Sequence, residues 1–252
     1  MFFITPLDQF QIISLFSIKV FCFDFSFTNS SLIGVIMISF FILLISYISS
    51  EDDSLFLIPN AWQVIIEIIY ETASQLLYDN LGMKGEKYFP FVSVLFTFIL
   101  LANLIGLVPY SFTITSHLLV TFLLALTVFI GVNIICYQEH KFNMLSLFIP
   151  SNTSFLLALL LVPIEFVSYM FKPISLGVRL FANMMAGHTL LKVIAGFAWS
   201  MVSAGGILFI AHIIPLAVLI LLVGLELGVA LIQAYVFTIL TCIYLNDSIN
   251  LH

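Results

Sequence analysis

Long runs of apolar residues, separated by short polar links, make up most of this chain. The first run of membrane length is Leu32–Ser49, and Phe89–Pro109 and Leu118–Tyr137 are the next two. A helix needs roughly 20 consecutive apolar residues to cross the hydrocarbon core of a bilayer. The pattern therefore predicts a first membrane-spanning helix within 32–50 and a pair of membrane-spanning helices within 89–137.

The segment Asn60–Leu81 has a different pattern, because polar residues recur among its apolar ones at helical spacing. The apolar positions are Ile65, Ile68, Ile69 and Leu76, and the polar ones are Glu67, Glu71 and Gln75. Such a pattern is typical of an amphipathic helix that lies along the membrane surface. Asn60 is a suitable N-cap. We therefore predict a surface helix over 60–81, whose simplest role is docking without chemistry.

The last two apolar runs, Phe155–Trp199 and Ile207–Tyr244, are too long to cross a membrane upright. As unbroken helices they would measure about 70 and about 57 Å, roughly twice the thickness of a bilayer core. Pro163 and Pro173 leave two alternatives for the first run, a broken pair of segments or one steeply oblique helix. Pro215 is expected to kink the second run near its beginning. The small residues between the runs favour a turn, so the pattern predicts a long oblique hairpin over 153–246.

Composition places the chain in the membrane, since 62% of its residues are hydrophobic and only 8% are charged. Soluble domains carry about a quarter charged residues. The formal charge of -6 argues against nucleic acid as a partner. Cys22, Cys136 and Cys242 are far apart and predict neither a disulfide framework nor a metal site. The fold class is thus an all-α membrane protein with about five transmembrane helices and one amphipathic surface helix. We predict a single domain over 1–252, with an irregular or interfacial segment at residues 1–30.

The lysines in the links predict the orientation of the helices. Lys84, Lys87 and Lys141 follow the first and third membrane-spanning runs, whereas the links at 110–116 and 201–206 carry no Lys or Arg. Positively charged links remain on the inner side of the membrane. The N-terminus is therefore expected outside and, after five passes, the C-terminus inside.

The segment Ser175–Leu191 carries the most unusual chemistry, because Arg179 lies far from either end of an apolar run. A guanidinium keeps its proton, and by insertion scales it costs roughly 2.5–3.5 kcal/mol at the membrane centre. Asn183 lies four residues later on the same helical face. An arginine in this position indicates a functional role, and the alternative is a side chain that snorkels to the interface.

Three further polar residues lie deep in the apolar runs at related spacings. Glu226 and Gln233 are seven residues apart and share one face of the last helix. In an antiparallel hairpin, Gln233 could brace Arg179 and Glu226 could meet His188. A carboxyl group beside an imidazole is a plausible proton relay, and the alternative is a structural polar pair that holds helices together.

Other polar groups in the apolar runs allow simpler interpretations. Glu165 is as consistent with a helix-packing contact as with proton transfer, and Asn103 is a further polar group that could take part. His212 is interpreted as a packing residue, and Lys172 and Lys192 as snorkelling side chains. No catalytic triad, phosphate-binding glycine loop or HExxH motif occurs in the sequence.

Several stretches together resemble one known family, the a subunits of F-type ATP synthases. The resemblance covers nearly the whole chain, and the arginine-containing motif is the most specific. The stretches are PLDQF (6–10), PNAWQVIIEIIYE (59–71), NLIGLVPYSFTITSH (103–117), SLGVRLFANMMAGHTLL (175–191) and LELGVALIQAYVFTIL (225–240).

The resemblance implies a proton-translocating stator that faces a rotating c-ring, with ATP chemistry on other subunits and no cofactor of its own. It implies that Arg179 faces the carboxylates of the c-ring and separates two half-channels. Asn183 and Gln233 match the supporting amides of the family, and His188 and Glu226 match the pair in the outer half-channel.

The same resemblance implies a location and further partners. Glu165 matches an acidic position that we assign to the inner half-channel. The order His188 then Glu226 resembles mitochondrial members, which indicates the mitochondrial inner membrane, with the N-terminus on the intermembrane-space side and the C-terminus on the matrix side. The expected partners are the c-ring, the peripheral stalk, other Fo subunits, protons and the lipid bilayer.

Two other functions use similar residues. A secondary transporter or channel would also bury charged groups, but such proteins often contain inverted repeats, and this sequence has no internal repeat. A purely structural membrane scaffold does not require deep polar groups at matched spacing. Co-purification with a c-ring separates the stator from the transporter, and an Arg179→Ala variant separates both from the scaffold.

Overall fold

The computed structural model describes residues 8–20, 23–49, 61–108, 111–141 and 155–249. Its helices are α1 (Asn29–Ser49), α2 (Ala61–Leu81), α3 (Phe89–Gly106), α4 (Leu118–His140), α5 (Phe155–Ala204), α6 (Ile207–Ala211) and α7 (Ile213–Ile249). By length and composition, four helical stretches in the described part could cross a membrane: Ala61–Gly106, Leu118–His140, Leu159–Ala204 and Phe209–Ile249. The predicted all-α membrane fold is thereby confirmed. The expected N-cap Asn60 lies outside the described residues.

Short strands precede α1, where we predicted an irregular or interfacial segment. Strand β1 (Ser14–Phe16) pairs antiparallel with β4 (Phe27–Thr28), and β2 (Lys19–Val20) pairs antiparallel with β3 (Phe23–Asp24). Strands of two or three residues are too short for an alternating pattern to reveal them.

Helix α1 begins at Asn29, three residues before the predicted start at Leu32. The hydroxyl of Ser31 accepts a hydrogen bond from the Thr28 N–H at 2.9 Å, and the Thr28 hydroxyl accepts one from the Ser31 N–H at 3.4 Å. This reciprocal arrangement is that of a capping box. The polar residues that the apolar pattern excluded therefore form the first turn of the helix.

The helix predicted over 60–81 is present as α2, and its position along the membrane surface stays a prediction. Its exposure differs along its length. Ile65 and Ile68, which belong to the predicted apolar face, are exposed. The buried residues lie in the second half of the helix and are Ala73, Leu76, Leu77 and Leu81. A seven-residue 3₁₀ helix, Gly82–Tyr88, then connects α2 to α3.

Helices α3 and α4 differ from the predicted hairpin only at their ends. Helix α3 ends at Gly106 instead of Pro109, and Ser111 donates its hydroxyl to the carbonyl of Ile105 at 2.7 Å. A side-chain donor of this kind satisfies a carbonyl that the helix end leaves without a partner. Helix α4 continues to His140, beyond the predicted Tyr137.

Helix α5 is continuous over 50 residues, so the alternative of a broken pair of segments is wrong. Pro163 and Pro173 lie inside it. Each proline removes one backbone hydrogen bond, but the remaining bonds preserve a helix about 75 Å long. The helix ends before Gly205 and Gly206, which have φ angles of +68° and +63° that residues with a Cβ rarely adopt.

The last predicted helix, Ile207–Tyr244, is divided into α6 and α7, with the break at His212. Pro215 accounts for the break, because it cannot donate to the carbonyl of Ala211 and its ring clashes with that carbonyl. Helix α7 then runs without interruption for 37 residues, about 56 Å. It therefore extends five residues past the predicted end.

The chain divides into two compact units. Unit 1 consists of Met1–Ile66, Phe98–His117 and Phe181–Ala234, and unit 2 consists of Glu67–Thr97, Leu118–Leu180 and Tyr235–His252. The apolar core of unit 2 is formed by the buried residues Leu77, Leu81, Val92, Val132, Cys242 and Leu245. Unit 1 contains most of the polar residues that the sequence singled out.

Candidate functional site

In unit 1, helices α5 and α7 bring His188 and Glu226 together, as expected for a hairpin. The imidazole Nδ1 lies 3.6 Å from the carboxylate Oε1, and the two side chains are only 13% and 7% exposed. This separation is longer than an ordinary hydrogen bond, so a proton would pass after a small side-chain movement or through a water. His188 Nε2 and Glu226 Oε1 are buried without a hydrogen-bond partner in the described part of the chain. Both atoms thus remain available to water or a proton.

A cavity of about 230 Å³ in unit 1 is lined by Glu226 of this pair. Its lining is mostly leucine and small side chains, and its polar members are Asn183 and Glu226. A space of this volume accommodates several waters. The carboxylate of Glu226 therefore lies between a basic neighbour and a space that can hold water.

Asn183 and Gln233 form a second polar pair between α5 and α7. The Asn183 side chain donates from Nδ2 to Gln233 Oε1 at 2.9 Å. Gln233 is buried, whereas Asn183 is exposed. The sequence suggested Arg179 as the neighbour of Gln233, and the structure gives Gln233 the amide of Asn183 as its partner.

Asn103 on α3 is fully buried and contacts the same face of α7. Its Nδ2 donates to the carbonyl of Ala230 at 3.2 Å, and its Oδ1 has no hydrogen-bond partner within the described residues. Ala230 lies between Glu226 and Gln233 on that face. Asn103 therefore adds a buried amide at the face of α7 that carries Glu226 and Gln233.

The link between α3 and α4, which the sequence indicated only as short and uncharged, contains buried polar side chains. Thr113, Thr115 and Ser116 are each less than 5% exposed. His117 stacks on Phe112 with ring centroids 5.0 Å apart, and burial lowers the pKa of His117. The run of hydroxyl residues in an otherwise apolar chain was the signal for this cluster, although the Thr113 and Thr115 hydroxyls have no hydrogen-bond partner among the described residues.

Arg179 and Glu165 belong to unit 2 and lie on α5. The Arg179 side chain is exposed, whereas Leu176 and Leu180 beside it are buried. None of the three ion pairs found among the described residues includes Arg179. Glu165 is half-buried.

Lys172, two turns before Arg179, has partners that the sequence did not predict. Its Nζ lies 3.5 Å from the carboxylate of Asp247 and 4.7 Å from the ring centroid of Tyr244. The ring of Tyr169 lies at 5.3 Å on the same helix. This lysine is thus held by one carboxylate and two aromatic rings.

Comparison with known proteins gives these residues a context. A family model described as ATP synthase A chain matches residues 30–246. The chain belongs to the ATP synthase A chain family. Its relatives include the ATP synthase subunit a of Pylaiella littoralis, which is 59% identical over 98% of this chain and 99% of the relative.

Two other relatives align with this chain over nearly the whole length of both proteins. The ATP synthase subunit a of Chondrus crispus is 53% identical over 98% of this chain and 97% of the relative, and that of Marchantia polymorpha is 47% identical over 98% and 99%. As a member of the family, this A chain is a proton-translocating stator subunit of an ATP synthase Fo sector. Membership also implies assembly with the c-ring and other Fo subunits.

Proposed function

We propose that this A chain forms two offset half-channels, which lead protons to and from the carboxylates of the c-ring, and that Arg179 keeps the two paths apart. The observation that carries the proposal is the exposed Arg179 side chain, which takes part in no ion pair with the described residues. A cation in this state can pair with a carboxylate on a passing subunit. Because a guanidinium keeps its proton, it also repels a proton that would otherwise cross directly between the paths.

The outer half-channel uses His188 and Glu226 as its proton-exchanging pair. Support comes from their 3.6 Å separation, their burial and the adjoining cavity. Asn103 and the Asn183–Gln233 pair supply polar groups along the same stretch of α7. These amides stabilise water and orient it, but they exchange no protons themselves.

The inner half-channel uses Glu165, a half-buried carboxylate on α5. Separation of the two paths makes rotation obligatory, since a proton must travel with the ring to pass from one to the other. Each proton that crosses 100 mV yields about 2.3 kcal/mol, and this energy is lost if the proton crosses directly. The A chain itself performs no ATP chemistry, which belongs to other subunits.

The proposed location is the mitochondrial inner membrane, with the N-terminus on the intermembrane-space side and the C-terminus on the matrix side. The positions of Lys84, Lys87 and Lys141 support this orientation. The order of His188 and Glu226 supports the mitochondrial assignment by resemblance to mitochondrial members. The peripheral stalk is the further partner that holds the A chain fixed against the ring.

Substitution of Arg179 tests the proposal in the assembled complex. We expect Arg179→Ala and Arg179→Lys to abolish ATP-driven proton pumping in membrane vesicles while the complex still assembles. Lysine is no substitute, because an ammonium in the low-dielectric membrane can lose its proton and lacks the planar fork of a guanidinium. Lys172→Ala removes a cation from the same helix, outside the proposed proton paths, and serves as the control, which should retain pumping. Normal pumping by the alanine variant of Arg179 would refute the proposal.

A further inference from the structure

Helix α5 lies very close to the Glu226 side chain at Gly187. A Cβ atom at position 187 would overlap Oε1 of Glu226, and it would lie 3.0 Å from Cδ and 3.2 Å from Cγ of the same side chain. The carboxylate therefore occupies the volume that the side chain of any other residue at this position would fill. Sequence reasoning did not single out Gly187.

The overlapping oxygen is the one that faces the imidazole. Glu226 Oε1 lies 3.6 Å from His188 Nδ1, and the same Oε1 is the atom that a Cβ at position 187 would displace. We propose that Gly187 is a positioning residue for proton exchange, because its lack of a side chain lets the Glu226 carboxylate lie against α5 beside His188. This inference rests on the proposed function, in which that pair exchanges protons.

The conflict created by a larger residue would be confined to a flexible side chain. All three Glu226 atoms near Gly187 belong to the outer part of that side chain, and none is backbone. The cavity of about 230 Å³ is lined by both Gly187 and Glu226, so the carboxylate has a space into which it can turn. A substitution at position 187 should therefore leave the helices in place and move the carboxylate away from His188.

Helix α5 also provides a matched control. A Cβ at Gly196 would meet nothing within 4 Å. Both glycines lie inside the same helix, so alanine favours the helix to a similar extent at either position. A difference between Gly187→Ala and Gly196→Ala therefore reports the surroundings of position 187.

The experiment measures ATP-driven proton pumping by the assembled complex in membrane vesicles. We expect Gly187→Ala to lower the pumping rate by up to about tenfold, the loss expected when the Glu226 carboxylate is removed altogether, since a displaced carboxylate loses its part in proton transfer. Gly196→Ala should pump at the unmodified rate. Equal rates for the two glycine variants would overturn the inference.

A second background separates positioning from packing. In a chain that already carries Glu226→Ala there is no carboxylate to displace, so Gly187→Ala should lower the remaining rate no further. A loss of rate or of assembly that is the same in both backgrounds would show a packing role and would also overturn the inference. If Glu226→Ala alone pumps normally, the proposed proton exchange fails. If Glu226→Ala pumps slowly but Gly187→Ala pumps normally, only the inference about Gly187 fails.

Discussion

The proton-exchanging pair can be tested by removing His188 and Glu226 singly and together. The two residues lie on different helices, and their side chains are almost completely buried. If they transfer a proton between them, each is useful only while the other is present. His188→Ala and Glu226→Ala should then slow pumping to similar extents, and the double variant should be no slower than the slower single variant.

The size of the effect follows from the role of the pair and from the cavity beside Glu226. General acid–base groups contribute about 10²- to 10⁴-fold to proton-transfer rates. The adjoining cavity lets water take over part of this role, so we expect each substitution to slow pumping about tenfold and not to abolish it. A tenfold change corresponds to about 1.4 kcal/mol in the barrier.

The assay is ATP-driven acidification of membrane vesicles, measured at several pH values together with ATP hydrolysis. Hydrolysis should slow in step with pumping, because these residues conduct protons but do not separate the half-channels. Independent residues would make the double variant about a hundredfold slower, whereas coupled residues leave it about tenfold slower. A multiplicative loss, or rates unaffected over the whole pH series, would refute the proton exchange between this pair.

Two further predictions concern packing. Asn183 and Gln233 are replaced by alanine, singly and together, and the free energy of unfolding of the complex is compared. The coupling energy should be about 0.6 kcal/mol and at most about 1.7 kcal/mol, as for other hydrogen bonds in membranes. A coupling energy of zero would mean that the bond contributes nothing to stability. Gly177→Ala should destabilise unit 2 by about 1–3 kcal/mol, because its Cβ would lie 3.0 Å from the backbone of α4, which cannot rotate away. Gly131→Ala, whose Cβ meets nothing within 4 Å, is the control, and equal thermal stability of the two variants would contradict the prediction.

Much of the helical architecture could be predicted from the sequence, because lipid requires long apolar runs and allows few charges. The starts of α3 and α4 agree with the predicted ones for this reason. Errors occurred where a local polar contact sets a boundary, as at the Thr28–Ser31 cap of α1, and the sequence left open what the prolines of α5 do to the backbone. Pro215 separates α6 from α7, yet Pro163 and Pro173 remain inside a continuous α5. The presence of a proline in the sequence does not by itself show whether the helix breaks there or continues.

The sequence by itself determined which side chains are chemically unusual, since a carboxylate, an imidazole and a guanidinium in apolar runs are costly wherever they lie. Helical spacing also suggested that Glu226 meets His188, but only the tertiary structure decided the other partners. In the structure, Asn183 donates a hydrogen bond to Gln233, and Asn103 donates one to the carbonyl of Ala230. The Glu226 side chain packs against the backbone of α5 at Gly187. Helical spacing determines the face on which a residue lies, but the depth and register at which two helices meet depend on side chains far apart in the chain.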